Sequence, residues 1–442
     1  MNTTTRTSPV SRRGFLLGAS ALGTSGLLAG CLGSEEAPEE SGTEQTGTDE
    51  TSSEPSGPVT LQNSQSDPAP REALETLIGD YPGDAEINTV AIEQFRAQLS
   101  TYLTSANPPD VLTWYAGSVA RDYAAEGLLL DVSDMWEGEG ACANFSDALR
   151  ELSSAEDGSQ IFVPTNYYWW SIFYKKSAFE EWGVSAPETW EDFLALCEDL
   201  KGRGVNPLAN GIGSTPWMAS GWFDYLNLRI NGAQYHRELL AGEHAFTDPE
   251  VEAVLEEYTK LIPYFDPDMA SYSYQEAVTP MVQNESAMYL IGAFVTQFFP
   301  EDQRDDLDFF SVPPINPDVP SAEEAPTDGY FAASGTDNPE GTKELLAYLA
   351  SAQSQQTFIE ISGSSNLPTH PDVDTSGFSP LVQKGIELLN STEEITQFFN
   401  RDSSDALQAT ADDALTRFLA DPSDIPGILE GWQAAAERVW DQ

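Results

Sequence analysis

Basic side chains are scarce. The 442 residues hold 20 Lys and Arg against 72 Asp and Glu, a formal charge of −52. That imbalance disfavours DNA, RNA and anionic lipid as partners, because every phosphate would meet like charge. Histidine is scarcer still. His236, His244 and His370 are the only three, and they form no His-Glu-x-x-His pair. A Gly-x-x-x-x-Gly-Lys phosphate loop and a Gly-x-Ser-x-Gly nucleophile turn are also missing. The three cysteines, Cys31, Cys142 and Cys197, form no cluster with metal-ligand spacing. No cofactor and no metal is implied. No internal repeat is visible, which argues against a solenoid or propeller. Carboxylates are so common that pairs of them single out no glycosidase site.

What is present is enough for a large core. Hydrophobic residues make up 40% of the chain and aromatic residues 11%, and the length supports two domains. The acidity is spread along the chain, as in proteins of extreme halophiles, where salt screens self-repulsion.

Residues 1–30 have the marks of a targeting segment. Ser11-Arg12-Arg13-Gly14-Phe15-Leu16 resembles a twin-arginine export signal. The apolar run Phe15 to Leu28 is too short to cross a membrane as a helix. Leu28-Ala29-Gly30-Cys31 resembles a lipobox, with lipid expected on Cys31. Twin-arginine export carries folded protein, which suits a chain that must fold in high cytoplasmic salt. Residues 31–58 are then the lipidated cysteine and a tether of Glu, Ser, Thr, Gly and Pro, expected to be disordered. A coil of that length spans roughly 30 Å. The globular part starts near Val59.

The stretch from Ile161 to Gly204 organises the rest. Ile161-Phe162-Val163 is a short apolar run ending at Pro164. Tyr167 to Tyr174 is almost wholly aromatic or β-branched and suits a strand. Thr189 can cap the next helix, with Asp192 three residues on. Phe193, Leu194, Cys197 and Leu200 mark its buried face. Helix and strand signals alternate elsewhere. Glu72 to Ile78 is expected to be helical, Ile87 to Val90 a strand, and Ile92, Phe95, Leu99, Tyr102 and Leu103 one helix face. Asn210 to Trp222 is expected to be a glycine- and aromatic-rich loop. The alternation implies an α/β fold.

Several landmarks occur in the order found in extracellular solute-binding protein family 1, the maltose-binding type that feeds ABC importers. They are Pro164, Trp169-Trp170, Tyr174, Lys176, Phe179, Gly183-Val184, Pro187, Thr189-Trp190, Asp192 and Phe193. Around them, Pro109-Asp110-Val111, Ala287-Met288-Tyr289-Leu290-Ile291-Gly292 and Thr327-Asp328-Gly329-Tyr330 resemble further family landmarks. Lys175 stands where the family has asparagine, and Gln62-Asn63-Ser64 where it usually has an aromatic pair.

The resemblance implies a type II periplasmic-binding-protein-like fold, with two lobes, three interlobe crossings and a ligand cleft between them. Lobe 1 is expected over 59–163 and 329–366, lobe 2 over 164–328 and 367–442. Cys142 and Cys197 would then lie in different lobes, where a bridge would lock the hinge, so free buried thiols are expected. The implied function is the binding component of an ABC transporter. It would capture a mono- or oligosaccharide by hinge closure and deliver it to membrane permease subunits. It would act as a monomer at the extracellular face of the cell membrane, without enzymatic activity. Two other readings stay open: the same fold with a polyamine, peptide or metal complex as cargo, and a secreted glycosidase or lyase.

A sugar offers a C–H face for aromatic rings and a rim of hydroxyls for polar groups. At the expected crossings and strand ends the aromatic candidates are Trp114, Tyr115, Tyr168, Trp169, Trp217, Trp222, Phe294 and Tyr330. The polar candidates are Asn166, Asp328 and Asn366. For each aromatic the competing role is core packing. Strand alternation means that Trp169 and Trp170 cannot both line a cleft, and Trp169 is the one preferred.

Overall fold

The computed structural model describes residues 57–440. The export signal, Cys31 and nearly all of the acidic tether therefore lie outside the described residues. Twelve strands follow in chain order: β1 (Val59–Asn63), β2 (Ala85–Thr89), β3 (Val111–Tyr115), β4 (Val163–Tyr167), β5 (Trp170–Lys175), β6 (Asn206–Ala209), β7 (Ser286–Gly292), β8 (Leu307–Phe310), β9 (Ala322–Glu324), β10 (Thr327–Ala332), β11 (Leu367–Pro368) and β12 (Glu394–Thr396).

They form two main sheets. The larger has the order β11-β4-β10-β3-β1-β2, the smaller β6-β7-β5-β8, and β12 pairs with β9 in a separate ribbon. The β1–β3 and β1–β2 pairs are parallel, and β10 runs antiparallel to both β3 and β4. Helices cover both sheets. Leu61, Leu74, Leu77 and Leu346 belong to one core of the larger sheet, and Phe95, Leu99, Leu112 and Phe162 to another. The smaller sheet lies in one extensive core with Phe173, Phe193, Leu226, Leu290 and Phe418. This is the two-lobe architecture the sequence implies.

The chain passes between the sheets between β4 and β5, between β8 and β10, and after β11. These points differ slightly from expectation. Pro164 to Tyr167 and Leu367-Pro368 remain on the larger sheet, and the first passage is at Tyr168-Trp169. Pro164 does not end the strand. It sits where the β4–β10 register shifts between Asp328 and Gly329, a bulge that tolerates the missing N–H. Its carbonyl accepts from Thr369 Oγ1 at 2.8 Å.

A second correction concerns 210–222. The loop ends early, and Met218–Ile230 is a helix buried through Arg229. A helix enclosed on every side shows no amphipathic stripe, so its periodicity is invisible. Gly221 lets it approach the sheet, because a Cβ there would meet the Trp170 ring.

The helix Trp190–Gly202 begins as expected. Thr189 Oγ1 accepts from the Asp192 amide at 3.1 Å, and Phe193, Leu196, Cys197 and Leu200 are buried. Cys142 and Cys197 are free thiols in different cores. Burial pushes the Cys142 thiol up to about 12 and raises Cys197 as well. Replacing Thr189 by Ala removes one capped N–H. The expected loss is ~1 kcal/mol in urea unfolding, with no change in ligand affinity.

Candidate functional site

A cavity of about 220 Å³ lies between the two sheets. Its larger-sheet side includes Ile92 and Arg96 from the helix Ile92–Thr104 and four further segments. The turn after β1 supplies Ser64 to Asp67. The end of β3 brings Trp114 and Tyr115, the start of β10 brings Asp328, and the approach to β11 brings Asn366. The smaller-sheet side supplies Trp170 from β5, Trp217, Tyr274, Gln275, and Phe294 just after β7. The segment 397–404 adds Phe398, Asn400 and Arg401.

Arg401 is the electrostatic centre. Its Nη1 donates to Asp328 Oδ1 at 2.7 Å and its Nη2 to the Tyr168 hydroxyl at 2.8 Å. The guanidinium lies 4.4 Å from the Tyr115 ring centroid, a cation–π distance. The Tyr115 hydroxyl accepts from Asn400 Nδ2 at 2.6 Å and donates to Asp405 Oδ1 at 3.1 Å. Burial pushes the Asp328 carboxyl up, and Arg401 pulls it back. The backbone closes in at the same place. Ser118 N donates to the Arg401 carbonyl at 2.9 Å, and Gly117, at φ +114°, has no room for a Cβ against that carbonyl.

The lining holds two charges of each sign, Arg96 and Arg401 against Asp67 and Asp328. It is therefore balanced, although the whole chain carries −52. Asp67 also bridges the cleft. Its carboxylate accepts from Tyr274 Oη and from Gln275 Nε2, each at 3.0 Å.

The aromatics divide by what covers their faces. Trp114 stacks between Phe95 and Tyr115, at 5.4 and 4.2 Å. The Arg401 guanidinium also lies over the Tyr115 ring. Trp170 stacks on Phe398 at 4.9 Å. Trp217, Tyr274 and Phe294 are only half-buried and keep ring surface toward the cavity.

Among the residues singled out in the sequence, Trp114, Tyr115, Tyr168, Trp217, Phe294, Asp328 and Asn366 come together around the cavity. The others do not. Trp169 is fully buried against Phe173 and Phe309, and its neighbour Trp170 takes the cleft side. The two rings face different ways as expected, although Trp169 lies in the passage just before β5, and the preferred member of the pair is reversed. Trp222 is on the buried helix, stacked on Phe193. Tyr330 lies deeper along β10, in the core of the larger sheet. Asn166 sits behind the lining, where its Oδ1 accepts from Asn366 Nδ2 at 2.7 Å.

Asp67, Arg96, Tyr274, Gln275, Phe398, Asn400 and Arg401 were missed. One signal for Arg401 existed: an arginine directly after Phe-Phe-Asn, in a chain with so few basic residues. Among the described residues no group of three His, Cys, Asp or Glu is arranged to hold a metal ion.

Known proteins place this geometry. A family model described as bacterial extracellular solute-binding protein matches residues 67–356. An uncharacterized ABC transporter extracellular-binding protein of Pyrococcus horikoshii is 26% identical over 300 residues, which is 67% of this chain and 66% of the relative. The alpha-glucosides-binding periplasmic protein AglE of Rhizobium meliloti is 25% identical over 341 residues, 73% of each chain. The solved bacterial solute receptor AcbH is described as having an exclusive preference for β-D-galactopyranose. It matches with a TM-score of 0.83 at 28% identity, covering 87% of this chain and 99% of that one. A chitin oligosaccharide binding protein shares the fold, with a TM-score of 0.78 at 20% identity and coverage of 87% and 99%.

Truncating Arg401 to Ala leaves the half-buried Asp328 carboxylate without its ion-pair partner. Urea unfolding near neutral pH is expected to show a loss of about 3 kcal/mol, most of it recovered in R401A/D328N.

Proposed function

The chain belongs to the bacterial extracellular solute-binding protein family, and from that premise we propose that it captures a neutral sugar of about one ring between its lobes. The charge-balanced, aromatic-lined cavity carries this reading. An engineered cavity of about 150 Å³ holds benzene, so one of about 220 Å³ suits a single substituted six-membered ring. The galactopyranose preference of AcbH supports a monosaccharide. Trp217, Tyr274 and Phe294 would meet the apolar ring face. Asp328, Arg401, Asn366 and Asp67 would meet the hydroxyls, and a wrong sugar would leave them unpaired. A polyamine would need an excess of carboxylates, and the two in the lining are offset by two guanidinium groups.

In this reading the lobes are those implied by the two sheets, with the passages between them as hinges. Closure is favoured because the ligand touches both lobes at once. The loaded form would deliver sugar to membrane permease subunits. The family and the matched structures are binding proteins, which supports capture without turnover. We further assign residues 1–30 to twin-arginine export and Cys31 to lipid attachment. That places a monomer on the extracellular face of the membrane, in a salt-rich setting suited to its charge.

Tryptophan fluorescence and melting temperature, followed across mono- and oligosaccharides in multimolar salt, test the cargo. A saturable shift with a monosaccharide, recovered unchanged, is expected. W217A should weaken binding about tenfold and D328A more. A response only to polyamines, peptides or metal complexes would reject the sugar, and cleaved sugar would reveal an enzyme. Salt tests the charge argument separately. The screening length falls from about 10 Å at 0.1 M to about 3 Å at 1 M, so the melting temperature should rise over that range.

A further inference from the structure

Behind the segment that carries Phe398, Asn400 and Arg401 lie two carboxyl groups that contribute nothing to the cavity lining. Asp224 is on the helix Met218–Ile230 and Glu324 on β9, and both are fully buried. Asp224 Oδ2 accepts from the Phe399 amide at 2.9 Å. Among the described residues, Asp224 Oδ1 and both Glu324 oxygens have no N–H or O–H donor. The two groups are within hydrogen-bonding reach of each other.

No cation faces the pair among the described residues. From the helix Gly232–Leu240, His236 Nε2 is 3.9 Å from Asp224 Oδ1, too long for a hydrogen bond. Burial pushes that imidazole down to about 3, and its Nδ1 is engaged with Asn227. From the helix Pro249–Thr259, the Tyr258 hydroxyl is committed to the Ala219 carbonyl. On β9, Glu323 is ion-paired to Arg229 at 2.6 Å, and that guanidinium is otherwise held by backbone carbonyls. Tyr225 donates to the Trp170 carbonyl and accepts from the Glu324 amide. From the segment itself comes a further acid, Asp402, whose Oδ2 accepts from the Gln397 amide at 2.8 Å. Arg121, Arg237 and Arg401 act on Asp402 at longer range.

Two ionised carboxylates that face no cation and share a single N–H donor are not tolerated in such a place. One proton resolves the arrangement. Asp224 already accepts the Phe399 amide, so it is the acceptor of the pair. We propose that Glu324 carries a proton and donates it in a hydrogen bond to Asp224, and that this bond positions the 397–402 segment so that Arg401 reaches Asp328 and Tyr168. Glu324 and Asp224 are positioning residues, and ligand capture needs one buried proton. The consequence for capture rests on the sugar reading above; the proton itself does not.

Burial raises both carboxyl groups, and mutual repulsion adds to the rise at Glu324. The folded state therefore keeps a proton that the unfolded chain releases at ordinary carboxyl pH. From this pair stability is complete below the ordinary carboxyl range and falls as pH rises from there to the raised value, and capture declines once pH passes the raised value. Beyond that point, affinity for D-galactose should fall about tenfold per pH unit, the slope for one linked proton.

Three measurements on the whole protein test this. Infrared spectroscopy near neutral pH should show a carboxylic-acid C=O band in the wild type that is missing in E324Q. Hydrogen exchange over 397–402, corrected for intrinsic pH dependence, should accelerate as pH rises in the wild type and stay flat in E324Q. That variant keeps a donor but cannot ionise. D-galactose affinity should follow the same pattern. A wild type without the acid band, or an E324Q with the wild-type pH slope, overturns the proposal. Should no sugar bind, the sugar reading fails alone, and the infrared and exchange results still decide. Should E324Q not fold, the wild-type spectrum and exchange decide, with D224N expected to keep the acid band because Glu324 retains its proton.

Discussion

The ion pair between Arg401 and Asp328 ties together parts of the chain that are far apart in sequence. Asp328 opens β10, on the larger sheet. Arg401 follows the β12 ribbon and leads into the helix Asp405–Ala420, which packs in the core of the smaller sheet. One guanidinium meets the carboxylate, the Tyr168 hydroxyl at the first passage and the Tyr115 ring at the end of β3. Such a group costs desolvation wherever it is buried. Here each side of it has a partner, so the charge that costs most to bury also orients the cavity walls.

Around that pair the aromatics have different tasks. Trp114 and Tyr115 stack on each other and act as a support for Arg401. Trp217, Tyr274 and Phe294 keep exposed ring surface. Polar groups and apolar faces thus meet in one balanced site on a chain whose net charge would otherwise attract cations. A second layer of carboxyls, Asp224 and Glu324, lies behind the loop that presents the arginine. The loop is therefore tied on two sides, to the cleft through its side chains and to the core through its backbone.

Local signals were legible where they concern neighbours in sequence. The Thr189 cap, the Phe193–Leu200 stripe and the strands at Val111 and Ser286 all depend on spacing within a few residues. The helix Met218–Ile230 was not legible, because it is buried all round and carries no stripe. Pro164 suggested a strand end, because sequence does not show the bulge at Thr165 that breaks the β4–β10 register beside it.

The sequence by itself determined the family, the α/β alternation, the charge excess and seven of the residues that line the cavity, since these rest on composition, short spacing and ordered landmarks. Only the tertiary structure decided that Trp170 and not Trp169 faces the cleft. Alternation says that the two differ, and packing against Phe309 and Gly385 says which is inside. Only the tertiary structure brought Arg401 to residues 73 and 233 positions away in the chain. Contacts across such separations leave no periodic trace in sequence; they exist once both sheets are formed and the chain has passed between them.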